Sequence, residues 1–135
     1  MKIDRKQIID SGNMSASSIN SIGLTLEQLF GGSIQAVVSS GSTARGYLKI
    51  QVSNDIVPLK PVAAVANTPI GQPVGSDPGG NVVNWTDYAN SRISVSGDGS
   101  HVININSNIG FNWIRLVYVK ISGSGTLNAV FNGKG

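Results

Sequence analysis

Cysteine is absent from this chain of 135 residues, histidine occurs once, and only 13% of the residues are charged. Without cysteine, neither disulfide bonds nor thiolate-bound metals can stabilise the fold, so its stability must come from packing. No segment approaches the roughly 20 consecutive apolar residues of a membrane helix, and we therefore predict no membrane partner. The opening sequence MKIDRKQIID lacks the apolar centre of a signal peptide, which predicts synthesis in a cytoplasm.

The low charge content determines what the surface can be made of. An average soluble domain has roughly 25% charged residues, so serine, asparagine, glycine and threonine must cover much of this one. Such a surface suits close packing against neighbouring molecules, although solitary β-domains share it. The ten basic residues outnumber the seven acidic ones but are scattered along the chain. Binding to phosphates needs several cations on one face, so the scatter predicts no nucleic-acid partner.

Short alternations of apolar and polar residues, separated by small-residue turns, account for much of the sequence. Residues 33–40 and 46–53 alternate with a period of two, as do the two halves of residues 93–106, and each pair predicts a β-hairpin. Residues 113–122 are apolar on both faces, which indicates a strand in the interior of a sheet. A glycine-rich turn leads to residues 126–133, which alternate again. We therefore expect a structural strand there rather than a flexible tail.

These patterns predict an all-β fold, a two-sheet antiparallel sandwich that is jelly-roll-like. Alternation alone does not separate jelly-roll from immunoglobulin-like strand orders. We predict one sandwich domain over residues 13–135 and a short N-terminal arm over residues 1–12, either extended or forming a turn of helix. All five prolines lie in an irregular insertion predicted at residues 56–80, which could pack on the sandwich or on a neighbouring subunit. Residues 24–30 could form a short helical turn.

The residues that carry chemistry are few and dispersed. His101 follows Asp98 and Ser100 along one turn and strand, where three side chains rarely converge as a catalytic triad does. One histidine and scattered acids do not make a metal site. Glu27 is the only glutamate, so a hydrolase would have to combine carboxylates from distant parts of the sequence. A hydrolase is therefore the least favoured of the three functional hypotheses. We predict no enzymatic activity, no catalytic residue, no cofactor and no metal.

The aromatic residues leave one binding function open. Trp85 and Tyr88, with Trp113 as a further candidate, could stack against sugar rings if they are exposed. The other reading is that these rings fill the core. The sequence predicts core packing for Trp113 more strongly than for Trp85 and Tyr88. The last two are therefore the candidate glycan platform.

Four segments in a fixed order are similar to a known group of proteins. They are SIQAVVSSGSTARGYLKIQVSND, NWTDY, SRISVSGDGSHVININ and GFNWIRLVYVKISGSGTLNAVFNGKG. Over roughly residues 33–135 the chain resembles small structural proteins encoded by tailed bacteriophages, and the proline-rich insertion departs from the pattern. The resemblance implies a virion component, made in the host cytoplasm, that acts as a capsid decoration or stabilising protein. It implies no catalytic residues.

The resemblance also implies the partners. We expect contacts with the major capsid protein or other virion proteins, and a homo-oligomer for which a trimer is one form. The N-terminal arm is the predicted partner contact because an arm that orders on docking can reach across a seam. Its candidate residues are Lys2, Arg5, Lys6, Ile8 and Ile9. The alternative function is a carbohydrate- or receptor-binding module of a phage tail or head fibre, with Trp85 and Tyr88 as the platform.

Overall fold

The computed structural model describes residues 3–25, 31–55, 76–77, 82–105 and 111–134. Within these ranges every regular element is a β-strand, and there is no helix of the length and apolarity that crossing a membrane requires. The strands are β1 (Ile3–Asn13), β2 (Ser18–Asn20), β3 (Gly23–Thr25), β4 (Gly31–Ser39), β5 (Arg45–Ser53), β6 (Ser76–Asp77), β7 (Thr86–Asp87), β8 (Ile93–Ser96), β9 (Gly99–Ile105), β10 (Trp113–Ser122) and β11 (Thr126–Lys134).

The strands form two antiparallel sheets. The first sheet has the order β1-β11-β4-β9. The second has the order β6-β3-β10-β5-β7, with β2 also pairing with β10 and β8 also pairing with β5. The prediction of an all-β fold with two antiparallel sheets is therefore confirmed. The predicted proline-rich insertion lies outside the described residues apart from β6, and the predicted helical turn is described only for its first two residues, which end β3.

Both sheets contribute to one hydrophobic core, which gives the molecule a sandwich-like arrangement. Alternate residues of β4 and β11 in the first sheet face alternate residues of β5 and β10 in the second, as the period-two pattern predicts. Burying each large aliphatic side chain stabilises the fold by about 1.5–3 kcal/mol. The largest fully buried side chains are Tyr118, Phe131, Met14, Leu24, Ile34, Leu48, Ile50, Ile114, Leu116 and Leu127.

Strand β10 lies in the interior of the second sheet, as its two apolar faces predict. It pairs with β5 along one edge and with β2 and β3 along the other. Ile114 and Leu116 point into the shared core. Trp113 and Val117 are on the opposite face, yet they are only 8% and 4% exposed. Residues on both faces in the first half of this strand are thus buried within a single copy of the chain, whereas Ile121 near its end is 68% exposed.

The N-terminal segment differs from the predicted arm. Residues 3–13 form β1, which pairs with β11 at the edge of the first sheet. The register shifts between Gln7 and Ile9, and this irregularity allows the consecutive residues Ile8 and Ile9 both to be buried, at 5% exposure each. Charged residues interleaved with apolar ones fit an edge strand as well as a solvated arm. The partner strand at the other end of the sequence, where Ile3 pairs with Lys134 and Asn13 with Thr126, distinguishes the two.

Candidate functional site

The aromatic segment at residues 82–92 is fastened along the edge of β5. Its short strand β7 pairs with β5, and the Tyr88 backbone N–H donates to the Ile50 carbonyl at 2.8 Å. The Ser91 hydroxyl accepts a hydrogen bond from the Ile50 N–H at 3.0 Å and donates to the Tyr88 carbonyl at 2.8 Å. Asn90 has a φ of 60°, in the left-handed region where asparagine is enriched among non-glycine residues. The segment therefore has a defined conformation on the sheet.

The Asp55 carboxylate holds the start of this segment. It accepts hydrogen bonds from the backbone N–H groups of Val83 and Asn84, both at 2.9 Å, and from the Asn84 side-chain amide at 2.8 Å. The bonds from the Asn84 and Val83 backbone, which favour the ionised carboxylate, lower the pKa of Asp55. Asp55 therefore acts as an anionic cap for the backbone N–H groups of Val83 and Asn84.

We expect acid to release this cap. Because the pKa of Asp55 is depressed in the folded state, its stabilisation is fully present above the ordinary value of 3.8 and is lost as the pH falls through the lowered folded pKa. The Val83 and Asn84 amide proton shifts, followed by NMR, should titrate with a midpoint below 3.8. Asp55→Asn should abolish that titration, whereas Asp87→Asn should leave it. A midpoint at or above the ordinary value would contradict the assignment.

A row of hydrogen-bonded charged and polar groups crosses the outer face of the second sheet. Lys49 forms an ion pair with Asp87 at 2.9 Å, and the Gln51 side-chain amide donates to the same carboxylate at 2.9 Å. The Gln51 oxygen accepts from Arg115 Nε at 2.9 Å and Nη2 at 2.7 Å. The Arg115 guanidinium lies 4.5 Å from the centroid of the Trp85 ring. The Gln51 hydrogen bond and the Lys49 charge lower the pKa of Asp87.

A second guanidinium is stacked on an aromatic ring of the same face. The Arg92 guanidinium carbon lies 3.5 Å from the centroid of the Tyr47 ring, and such a contact contributes about 0.5–1 kcal/mol at exposed sites. In the described part of the chain, neither Arg92 nor Arg115 has a carboxylate partner. Lys49, Arg92 and Arg115 are far apart in the sequence, but the fold brings them onto one face.

Three surface cavities surround Tyr88. The largest, about 520 Å³, lies between Tyr88, Asn54 and Phe111. A second, about 220 Å³, lies between the outer face of β5 and residues 87–92 and is lined by Tyr47 and Arg92. A third, about 260 Å³, opens between residues 88–93 and β9. Tyr88 therefore lines all three of these cavities, and its surroundings form a concave region of the surface.

The two residues of the predicted glycan platform have different surroundings. Trp85 is half-buried, with Arg115 over its ring and its Nε1–H donating to the Val82 carbonyl at 3.1 Å. Tyr88 is also half-buried, but it packs against the core and meets the Phe111 ring edge to face at a centroid distance of 6.0 Å. None of the three cavities around Tyr88 is lined by Trp85. Tyr88 therefore lies at a candidate site, whereas Trp85 lies beneath the Arg115 guanidinium and lines none of these cavities.

The predicted partner-contact residues of the N-terminus also receive different roles. Lys2 lies outside the described residues. Arg5 is exposed and Lys6 is half-buried. Ile8 and Ile9 belong to the hydrophobic core and are 5% exposed each, so in this conformation little of either side chain is available to a partner.

Sequence reasoning missed Tyr47, Arg92 and Phe111 as site residues. The alternation of residues 46–53 does place Tyr47 with Lys49 on the outward side of β5, which is a usable signal for one of them. Arg92 follows the turn at residues 89–90, Phe111 lies just before β10, and neither carries a local pattern. Their positions depend on which segments lie beside β5, and that information is not local.

Within the described ranges there is no group of three or more histidine, cysteine, aspartate or glutamate side chains that could hold a metal ion. Asp98 is engaged in a turn contact, where its carboxylate accepts the Gly41 N–H at 2.6 Å. His101, on β9, lies opposite Ala36 of β4. Comparisons with protein-family models, with curated proteins and with solved structures give no match for this chain. The ground for a functional assignment is therefore the geometry.

Proposed function

We propose that this protein is a structural component of a tailed-bacteriophage virion that decorates or stabilises the capsid through protein–protein contacts. The observation that carries the proposal is an uncharged area on the outer face of the first sheet, formed by outward side chains of β4, β9 and the middle of β11 and bordered by the exposed Arg5 of β1. We call this surface the valine face. Its residues are Ser33, Gln35, Val37, Ser39, Ser100, Val102, Asn104, Asn128, Val130 and Asn132.

Apolar side chains are spread across the valine face rather than hidden beneath it. Gln35 on β4 is flanked in register by Val130 on β11 and Val102 on β9, and Val37 follows two residues further along β4. The exposed fraction is 38% for Val37, 39% for Val130 and 58% for Val102. The cores of protein–protein interfaces are depleted in charged residues. Docking confined to these residues leaves Arg5 at the edge of the contact and desolvates no ionised group within it, which favours a neutral protein surface as the partner.

The strand order supports a jelly-roll topology for the sandwich. Successive strands change sheet from β1 to β3, from β3 to β4 and from β4 to β5, and again from β8 to β9, β10 and β11. The step from β5 to β8 stays within the second sheet, and β11 returns beside β1. Such an order is expected of two interleaved Greek keys, an architecture used by viral capsid proteins and by lectins. Virion structure and sugar binding are thus the two functions to weigh.

The capsid function would work by repetition. The partners are the major capsid protein or other virion proteins, and the protein acts as a homo-oligomer, of which a trimer is one form. A copy bound at one contact experiences a high effective concentration of the next contact on the same lattice. Modest interfaces such as an uncharged sheet face are then sufficient for stable decoration.

The test is rebinding to capsids stripped of accessory proteins, from a tailed phage whose genome encodes this sequence. Light scattering first establishes the oligomer mass. The double variant Val102→Lys with Val130→Lys should then bind the capsid about tenfold or more weakly, because docking would bury two added charges. A tenfold loss corresponds to about 1.4 kcal/mol of binding free energy. The matched control is Ile121→Lys, on the other sheet and 68% exposed. Equal loss in both variants, or no binding by the unmodified protein, would refute the proposal.

A second candidate function is a carbohydrate- or receptor-binding module of a phage tail or head fibre. The observation that favours it is the group of cavities around Tyr88, beside two guanidinium groups that are stacked on aromatic rings. Ligand sites combine aromatic walls with a few polar groups in such concave regions. This function uses the second sheet, and so it is separable by mutation from the valine face.

A further inference from the structure

We propose that the cavity between Tyr47, Lys49, Asn90 and Arg92 binds the carboxylate group of an acidic sugar, with Arg92 as the anion-binding residue. We call this cavity, of about 220 Å³, the Arg92 pocket. The proposal rests on the second candidate function, since it names the class of ligand for a glycan-binding module. It differs from the platform predicted from sequence, because Trp85 does not line the pocket.

Arg92 is arranged to receive a planar anion. The Tyr47 ring, 3.5 Å from the guanidinium carbon, covers one face of the guanidinium and fixes its plane. The N–H donors lie in that plane and form no hydrogen bond to other described residues. A guanidinium fork matches a carboxylate through two parallel N–H···O bonds. The stack already restricts the Arg92 side chain, so binding of a ligand costs less side-chain entropy.

The charge lining the pocket indicates a ligand with one negative charge. Arg92 and Lys49 are cationic, and Asp87, which pairs with Lys49, is anionic. The Gln51 amide also donates to Asp87, so Lys49 is not the only group that stabilises this carboxylate. One net positive charge remains, and a carboxylate compensates it without leaving an excess. A doubly charged phosphate would leave the pocket with one excess negative charge.

The rest of the lining suits a sugar rather than an acidic side chain of a protein. Tyr47 and Tyr88 offer ring surfaces for the apolar face of a sugar, and the Asn90 amide offers a donor and an acceptor for hydroxyl groups. Asn90 holds a left-handed backbone conformation at the pocket, and such strained residues concentrate at ligand sites. Drug-sized ligands occupy roughly 300–1,000 Å³, so this smaller cavity fits one terminal sugar residue.

The experiment is an NMR titration of the full chain with sialyllactose, with oligogalacturonate and with uncharged lactose at millimolar concentrations. We expect amide shifts at residues 88–92 with either acidic sugar and none with lactose. Arg92→Gln should weaken the acidic-sugar affinity by about tenfold, the effect of losing one charge-assisted pair. Arg92→Lys should recover part of it, because lysine restores the charge without the fork.

The matched control is Arg45→Gln. Arg45 lies on the same strand as Tyr47, is exposed, and donates to the Ser42 and Ala44 carbonyls outside the pocket. The Arg45→Gln variant should bind acidic sugars with the same affinity as the unmodified protein. Equal binding of lactose would overturn the proposal while leaving a glycan-binding function. Binding of a tri-aspartate peptide as tight as that of the sugars would overturn the sugar assignment, and no binding of any probe would overturn both.

Discussion

Phe131→Ala is expected to lower the free energy of unfolding by about 3–5 kcal/mol, the loss typical of a buried phenylalanine. Phe131 lies on the inner face of β11, opposite Ile34 of β4, and is fully buried. Its truncation would leave a cavity between strands that are fastened on both sides, since β11 pairs with β1 and with β4. The strands cannot collapse into that space without breaking their ladders. Total stabilities are about 5–15 kcal/mol, so this single change would remove a large part.

The neighbouring residue provides the control for this prediction. Val130 has the opposite orientation on the same strand and is 39% exposed. Val130→Ala should cost less than about 1 kcal/mol, the span of β-propensity in a host protein. Urea unfolding followed by tryptophan fluorescence measures both variants. Similar losses would mean that β11 is displaced by one residue, because such a slip exchanges the two faces of a strand.

Gly123→Ala should destabilise the protein by about 1–3 kcal/mol more than Gly97→Ala, the cost of forcing extra atoms into a packed site. The two glycines have the same positive φ of 81°, so both variants incur the same backbone strain, about 1–2 kcal/mol for an L-residue. Their surroundings differ. A Cβ at Gly123 would overlap the Thr43 carbonyl oxygen and lie 2.9 Å from the Ala44 nitrogen, whereas at Gly97 the nearest atom is 3.9 Å away.

Thermal unfolding of the two glycine variants separates backbone strain from crowding. The difference between them reports only the close approach of the β10–β11 turn to the turn before β5. Because the clashing atoms belong to backbone, a change of rotamer cannot relieve them. Equal destabilisation would contradict the described contact between these turns and leave φ as the only cost.

The amino-acid pattern was sufficient to predict the strands that carry most of the fold. The alternation in residues 33–40 and 46–53 predicted β4 and β5, and the two apolar faces of residues 113–122 predicted a central strand, because side-chain period is a local property. It was insufficient for β1. Residues 3–13 carry charges between their apolar residues, and only pairing with β11 shows that Ile8 and Ile9 are core residues.

The candidate site was less predictable for the same physical reason. Composition already indicated a weakly charged surface and the absence of thiol chemistry, and it drew attention to the aromatic segment that contains Tyr88. The tertiary structure alone determined that Arg115 covers Trp85 and that Arg92 stacks on Tyr47. It alone also determined that uncharged side chains of β4, β9 and β11 form one contiguous area on the first sheet. Periodicity is a property of neighbouring residues within one strand. Contacts between strands depend on sheet order and register, which join residues distant in the chain.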